Sequence, residues 1–161
     1  MIPFLLLAVA AAGNPPVKPA AIEAVELCTA VVRPNEFNLE PLASAGWTEG
    51  EIKNIEKAPG GAQANRLFIR EGAGAVIMLN INVEKGGHYC HVLTSGPSKF
   101  VDLFERALVP SVREAMKLTP ALTFYKSTGK PYIVSLTRKP SGKDILADVM
   151  VVAFEPKTKS E

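Results

Sequence analysis

Residues 75–84 alternate with a period of two: Ile77, Leu79, Ile81 and Val83 take one side, and Val76, Met78, Asn80, Asn82 and Glu84 the other. That pattern is the signature of a strand with two different faces. Gly86-Gly87 follows, a dipeptide that closes tight hairpins, and residues 88–94 supply a return strand. With Gly86 and Gly87 as the loop, Lys85 pairs with His88, Val83 with Cys90 and Ile81 with Val92. Cys90 then lies on the apolar side of the hairpin.

A second periodicity meets the first. Across residues 20–33, Ile22, Val25, Thr29 and Val32 recur at helical spacing, and Cys28 falls on the same face. Pro34 ends this helix, because the residue before a proline avoids the α region. Helix phase and hairpin register thus direct the two cysteines of the chain into one layer, as a helix-to-sheet disulfide Cys28–Cys90 requires. A slip of one residue would turn Cys90 to the other face.

The rest of the chain fills in around this pair. Residues 39–45 form a short helix that Asn38 caps and Gly46 closes. Thr48-Glu49-Gly50-Glu51 fits a capping box and predicts another short helix to about Lys57. Residues 66–70 form a strand. After Ser95-Gly96-Pro97 a long helix presents Phe100, Leu103, Phe104, Ala107 and Leu108 inward; Pro110 kinks or restarts it, and Val112, Ala115 and Met116 continue the face to about Leu118. Strands follow at 122–126, 132–138 and 145–154. The fold class is α+β: an antiparallel sheet of about six strands with helices packed on one face, in the order helices, three strands, helix, three strands.

Residues 1–12 carry no charged side chain and end in small residues with A-x-A patterns, the form of a signal peptide. The stretch is too short to span a bilayer, which takes about 20 residues. Residues 13–19 form a Pro-rich linker, 20–155 a single α+β domain and 156–161 a polar tail. An even pair of cysteines fits an oxidising compartment, so the chain is expected in the periplasm or outside the cell. Cys28 follows Val25-Glu26-Leu27 at a distance from the apolar stretch, which argues against lipidation.

A Cys in the leading helix, the Gly46-Trp47 step and a strand Cys together resemble uncharacterised small secreted bacterial proteins. The resemblance spans roughly Cys28 to Cys90 and implies neither an activity nor site residues.

Chemistry is sparse. A net charge of +2 with dispersed Lys and Arg leaves no basic run that would track a phosphate backbone. Lys126, Lys130, Arg138, Lys139 and Lys143 decorate the last hairpins, as lysine-guarded edges do. Trp47 is expected to pack over a helix junction with its N–H on a carbonyl. His88 and His91, the two histidines, alternate to opposite faces, and Cys90 is committed to the disulfide, so no metal site and no cofactor is expected. The polar face carrying Asn80, Asn82, Glu84, Tyr89 and His91 is the candidate surface, with His91 across from Asn82. No catalytic constellation accompanies it. The expectation is a non-catalytic exported cell-envelope protein that binds a small molecule or a protein partner. The alternatives are a small secreted hydrolase using His91 and Glu84 as acid and base, and a structural or stress-related envelope protein.

Overall fold

The computed structural model describes residues 20–50, 62–82, 87–108, 114–119, 122–126 and 132–153. Residues 1–19, which include the expected signal peptide and linker, lie outside the described residues. So do Glu84, the Gly86 side of the expected hairpin loop and the tail.

The chain opens with α1 (Ala20–Val31) and α2 (Glu40–Ser44). Leu39, not the expected Asn38, is the N-cap and makes no side-chain cap bond; the Asn38 side-chain oxygen, one residue earlier, accepts the Glu40 N–H at 3.3 Å at the start of α2. Gly46 closes it at φ 77°, a left-handed conformation that glycine adopts without a Cβ penalty. The strands are β1 (Thr48–Gly50), β2 (Ala62–Ile69), β3 (Ala75–Asn82) and β4 (Gly87–Gly96). Then come α3 (Ser98–Leu108), β5 (Glu114–Thr119), β6 (Leu122–Lys126), β7 (Tyr132–Ser141) and β8 (Asp144–Ala153).

All eight strands form one antiparallel sheet in the order β1-β2-β3-β4-β8-β7-β6-β5. Two four-strand meanders, each led by helix, meet at β4 and β8 in the centre. The fold is α+β, and the six expected strands are its inner six, with one further strand at each edge. Ile77, Leu79, Cys90, Val92, Leu136, Val149 and Val151 face the helices and are completely buried. They join Val25 and Cys28 of α1 and Val101 and Phe104 of α3 in one core.

The disulfide Cys28–Cys90 ties α1 to the central strand β4. The β3–β4 register differs from expectation: Cys90 pairs with Leu79 and Val92 with Ile77. The last described pair is Asn82 with Gly87, and residues 83–86 lie outside the described residues. The displacement is an even number of residues. Every side chain keeps its face, and the cysteine layer survives.

Three local expectations are corrected. Thr48–Gly50 is an edge strand and not the start of a helix; residues 51–57 lie outside the described residues. Pairing with β2 overrides the local capping preference. Glu49 of β1 holds Arg66 of β2 through two hydrogen bonds of 2.7 Å, and the Arg66 guanidinium keeps the Glu49 carboxyl below its usual range. Second, the long helix stops at Leu108, two residues before Pro110, and residues 114–119 pair with β6 as a strand. Third, α3 turns Val101, Phe104 and Leu108 inward, while Phe100, Leu103 and Ala107 are exposed. The rotation brings Asp102 and Glu105 onto Arg138 of β7, 2.7 Å from Asp102. Arg138 is therefore engaged in the fold, apart from the exposed Lys139 and Lys143.

Trp47 is buried at the α2–β1 junction, with Arg70 over its ring at 5.1 Å. Arg70 also donates to Glu23 of α1 and to the Ala45 carbonyl. The Trp47 N–H has no hydrogen-bond partner among the described residues, in contrast to the carbonyl expected for it.

Candidate functional site

Strand alternation sends His88 and His91 to opposite faces. His88 stays on the helix side, where its Nδ1 donates to the Pro34 carbonyl at 3.2 Å and its ring meets Phe37 edge-on. His91 leaves the other face of β4, at the middle of the sheet. Among the described residues no helix packs there: α1 and α3 both lie on the face that carries the core.

The uncovered face is more apolar than its five expected residues implied. Val76 and Met78 of β3, Leu93 of β4, and Met150 and Val152 of β8 are half-buried on it. Ile69 and Ile133 at its flanks are exposed. Through this apolar field runs one polar string. The His91 Nδ1 lies 2.9 Å from Oδ1 of Asp148 on β8, and Nε2 lies 3.4 Å from Nδ2 of Asn80 on β3. Three strands thus contribute one residue each.

The string fixes the imidazole. A carboxylate only accepts, so the Nδ1 of a neutral His91 carries the proton and donates it to Asp148. The lone pair is then on Nε2. Asn80 approaches it at a distance where a hydrogen bond is already weak. The His91 side chain is 13% exposed and Asp148 32%. The pair is therefore partly shielded but reachable from outside.

The expected site residues fare unequally. Asn80, Tyr89 and His91 share the face. Asn82 ends β3 opposite Gly87, and His91 has Met78 across from it in its place. The acidic partner assigned to His91, Glu84, lies outside the described residues; among them Asp148 takes that position. Tyr89 lies along the sheet: its ring covers Gly87, where a Cβ would come within 2.6 Å of it. Sequence reasoning missed Asp148 and Met150, and it placed Met78 on this face without counting it among the site residues. One signal for Asp148 was present. It is the sole charged residue in 145–154, and an Asp inside an apolar strand needs a partner. Its pairing with His91 depends on β8 lying beside β4, which no local pattern reveals.

Among the described residues, no three His, Cys, Asp or Glu side chains gather as a metal-holding group. No described helix is long and apolar enough to cross a membrane. Comparison with protein-family models, curated proteins and solved structures finds no match for this chain.

Proposed function

We propose that the chain is a non-catalytic, exported protein of the cell envelope that holds a small ligand on the uncovered sheet face around His91. The observation that carries this reading is the combination on one face: half-buried apolar side chains surrounding an oriented imidazole. Apolar surface supplies affinity, and a fixed acceptor supplies orientation. The disulfide and the charge-free N-terminal stretch support export to an oxidising compartment.

The His91–Asp148 pair also favours a second reading, a hydrolase in which Asp148 and not Glu84 orients the base. Among the described residues its nucleophile is wanting. The hydroxyl on the same row of the sheet is Ser135 of β7, paired with Met150 and so two strands from His91. At the usual strand spacing that is about 10 Å, with Met150 between them.

Amide spectra recorded during titration with 8-anilinonaphthalene-1-sulfonate, an apolar anionic probe, test the binding face. Shifts are expected at β3, β4 and β8, centred on His91. Shifts confined to α3 around Leu103, a residue that is 57% exposed, would contradict the assignment. Saturable ester hydrolysis lost in both His91→Ala and Asp148→Asn would instead establish the enzyme.

A further inference from the structure

We propose that Met78, His91 and Met150 form a site for a soft monovalent metal ion, Cu(I) or Ag(I). The inference rests on the reading of this face as the ligand face and names the ligand's chemistry.

The three residues are direct neighbours. Met78 on β3 and Met150 on β8 are the register partners of His91 on either side. Opposed residues on adjacent antiparallel strands have Cα atoms about 5 Å apart, and all three side chains leave the same face. Methionine has three rotatable bonds, so each thioether can swing toward the imidazole between them. The site is central, and it is held from behind: Cys90, the residue before His91, carries the disulfide on the opposite face.

The imidazole is already in the form that a metal takes. Asp148 accepts the Nδ1 proton and leaves the lone pair on Nε2, which faces the Asn80 amide on β3. A metal-bound histidine typically donates its other ring N–H to such a carboxylate. Binding would displace only the 3.4 Å approach of Asn80.

Ligand softness selects the ion. Two thioethers with one imidazole suit Cu(I) and its analogue Ag(I), whereas zinc and calcium favour thiolate, carboxylate or oxygen-rich sets. The three ligands are neutral, so a monovalent ion together with the Asp148 carboxylate gives a site of no net charge. A divalent ion would leave a positive charge against half-buried apolar walls, which is costly. Both thiols of the chain are consumed in the disulfide, so no thiolate competes.

Register also supplies a control. Met116 of β5 stands on the same row, through Phe124 and Ser135 to Met150, but four strands from β4. That separation is about 19 Å at the usual strand spacing.

The test is titration of the chain with Ag(I) in chloride-free buffer, followed by methionine methyl and histidine ring resonances. One ion is expected to bind, shifting the methyls of Met78 and Met150 and the ring of His91. Met78→Leu, Met150→Leu and His91→Gln are each expected to weaken binding at least about tenfold, and Asp148→Asn by about 10- to 100-fold. Met116→Leu should leave it unchanged, and Zn(II) should not compete. Amide spectra of each variant show whether it is folded. No bound Ag(I), binding indifferent to Met78→Leu and Met150→Leu, or equal binding of Zn(II) would overturn the metal assignment. If Ag(I) fails but the anilinonaphthalene probe still shifts β3, β4 and β8, the ligand face stands and the metal falls. If neither perturbs the face, both fall.

Discussion

Replacing both cysteines, as Cys28→Ala with Cys90→Ala, is expected to lower the free energy of unfolding by about 4 kcal/mol. The bridge closes a loop with a sequence separation of 62 residues, and in the chain-entropy treatment a loop of that length restricts the unfolded chain by about that amount. Domains of this size are stable by only about 5–15 kcal/mol, so the loss is a large fraction of the whole. Both cysteines are completely buried, one on α1 and one on the central strand, so the bridge joins the leading helix to the middle of the sheet. Urea unfolding of the oxidised chain and the double variant, followed by Trp47 fluorescence, measures the difference. Trp47 is the single tryptophan and is buried, so its emission reports the loss of the packed state. A difference below about 1 kcal/mol would mean that the bridge restricts little of the unfolded chain.

Leu79→Ala is expected to cost about 2–5 kcal/mol, the range for truncating a leucine in a close-packed core. Leu79 is completely buried, and it is the register partner of Cys90 on β4 and of Arg66 on β2. The cavity would open against the disulfide, which limits how far the wall can collapse. The adjacent residue on the other face gives the contrast. Asn80→Ala removes one long hydrogen bond and is expected to cost less than about 1 kcal/mol. The pair therefore tests the strand phase through the same denaturation curves. Similar losses for Leu79→Ala and Asn80→Ala would mean that β3 does not have one buried and one open face.

Much of the inner layer was legible because it obeys local periods. The alternation in 75–84 and the helical spacing around Cys28 are each visible in the sequence, and together they place both cysteines correctly. The hairpin register was read four residues off, because Gly86-Gly87 resembles a two-residue loop while β3 ends at Asn82. The error did no harm to the faces, since an even shift preserves them. Edge strands were harder. Thr48-Glu49-Gly50 has a good helix start, and only its pairing with β2 and the Glu49–Arg66 contact make it a strand. Likewise, residues 114–119 are strand through pairing with β6. Such contacts span a separation in sequence that local propensity cannot register.

The site was half legible for the same reason. Asn80, Tyr89 and His91 come from one hairpin, so alternation places them together. Asp148 and Met150 come from the last strand, which reaches β4 only after α3 has carried the chain to the far edge of the sheet and three strands have returned it. The oriented imidazole is thus a product of topology. Asp148 is 57 residues from His91 in sequence and 2.9 Å from it in space.

Asp148 holds the His91 ring with its proton on Nδ1 and its lone pair on Nε2, beside the Asn80 amide. A long-range proton–nitrogen correlation spectrum of the chain, recorded where the ring is neutral, reads the tautomer of each histidine directly. For His91 the expected result is a proton on Nδ1 and an unprotonated Nε2, with a shift toward mixed tautomers in Asp148→Asn. A His91 ring protonated on Nε2, or one indifferent to Asp148→Asn, would contradict it.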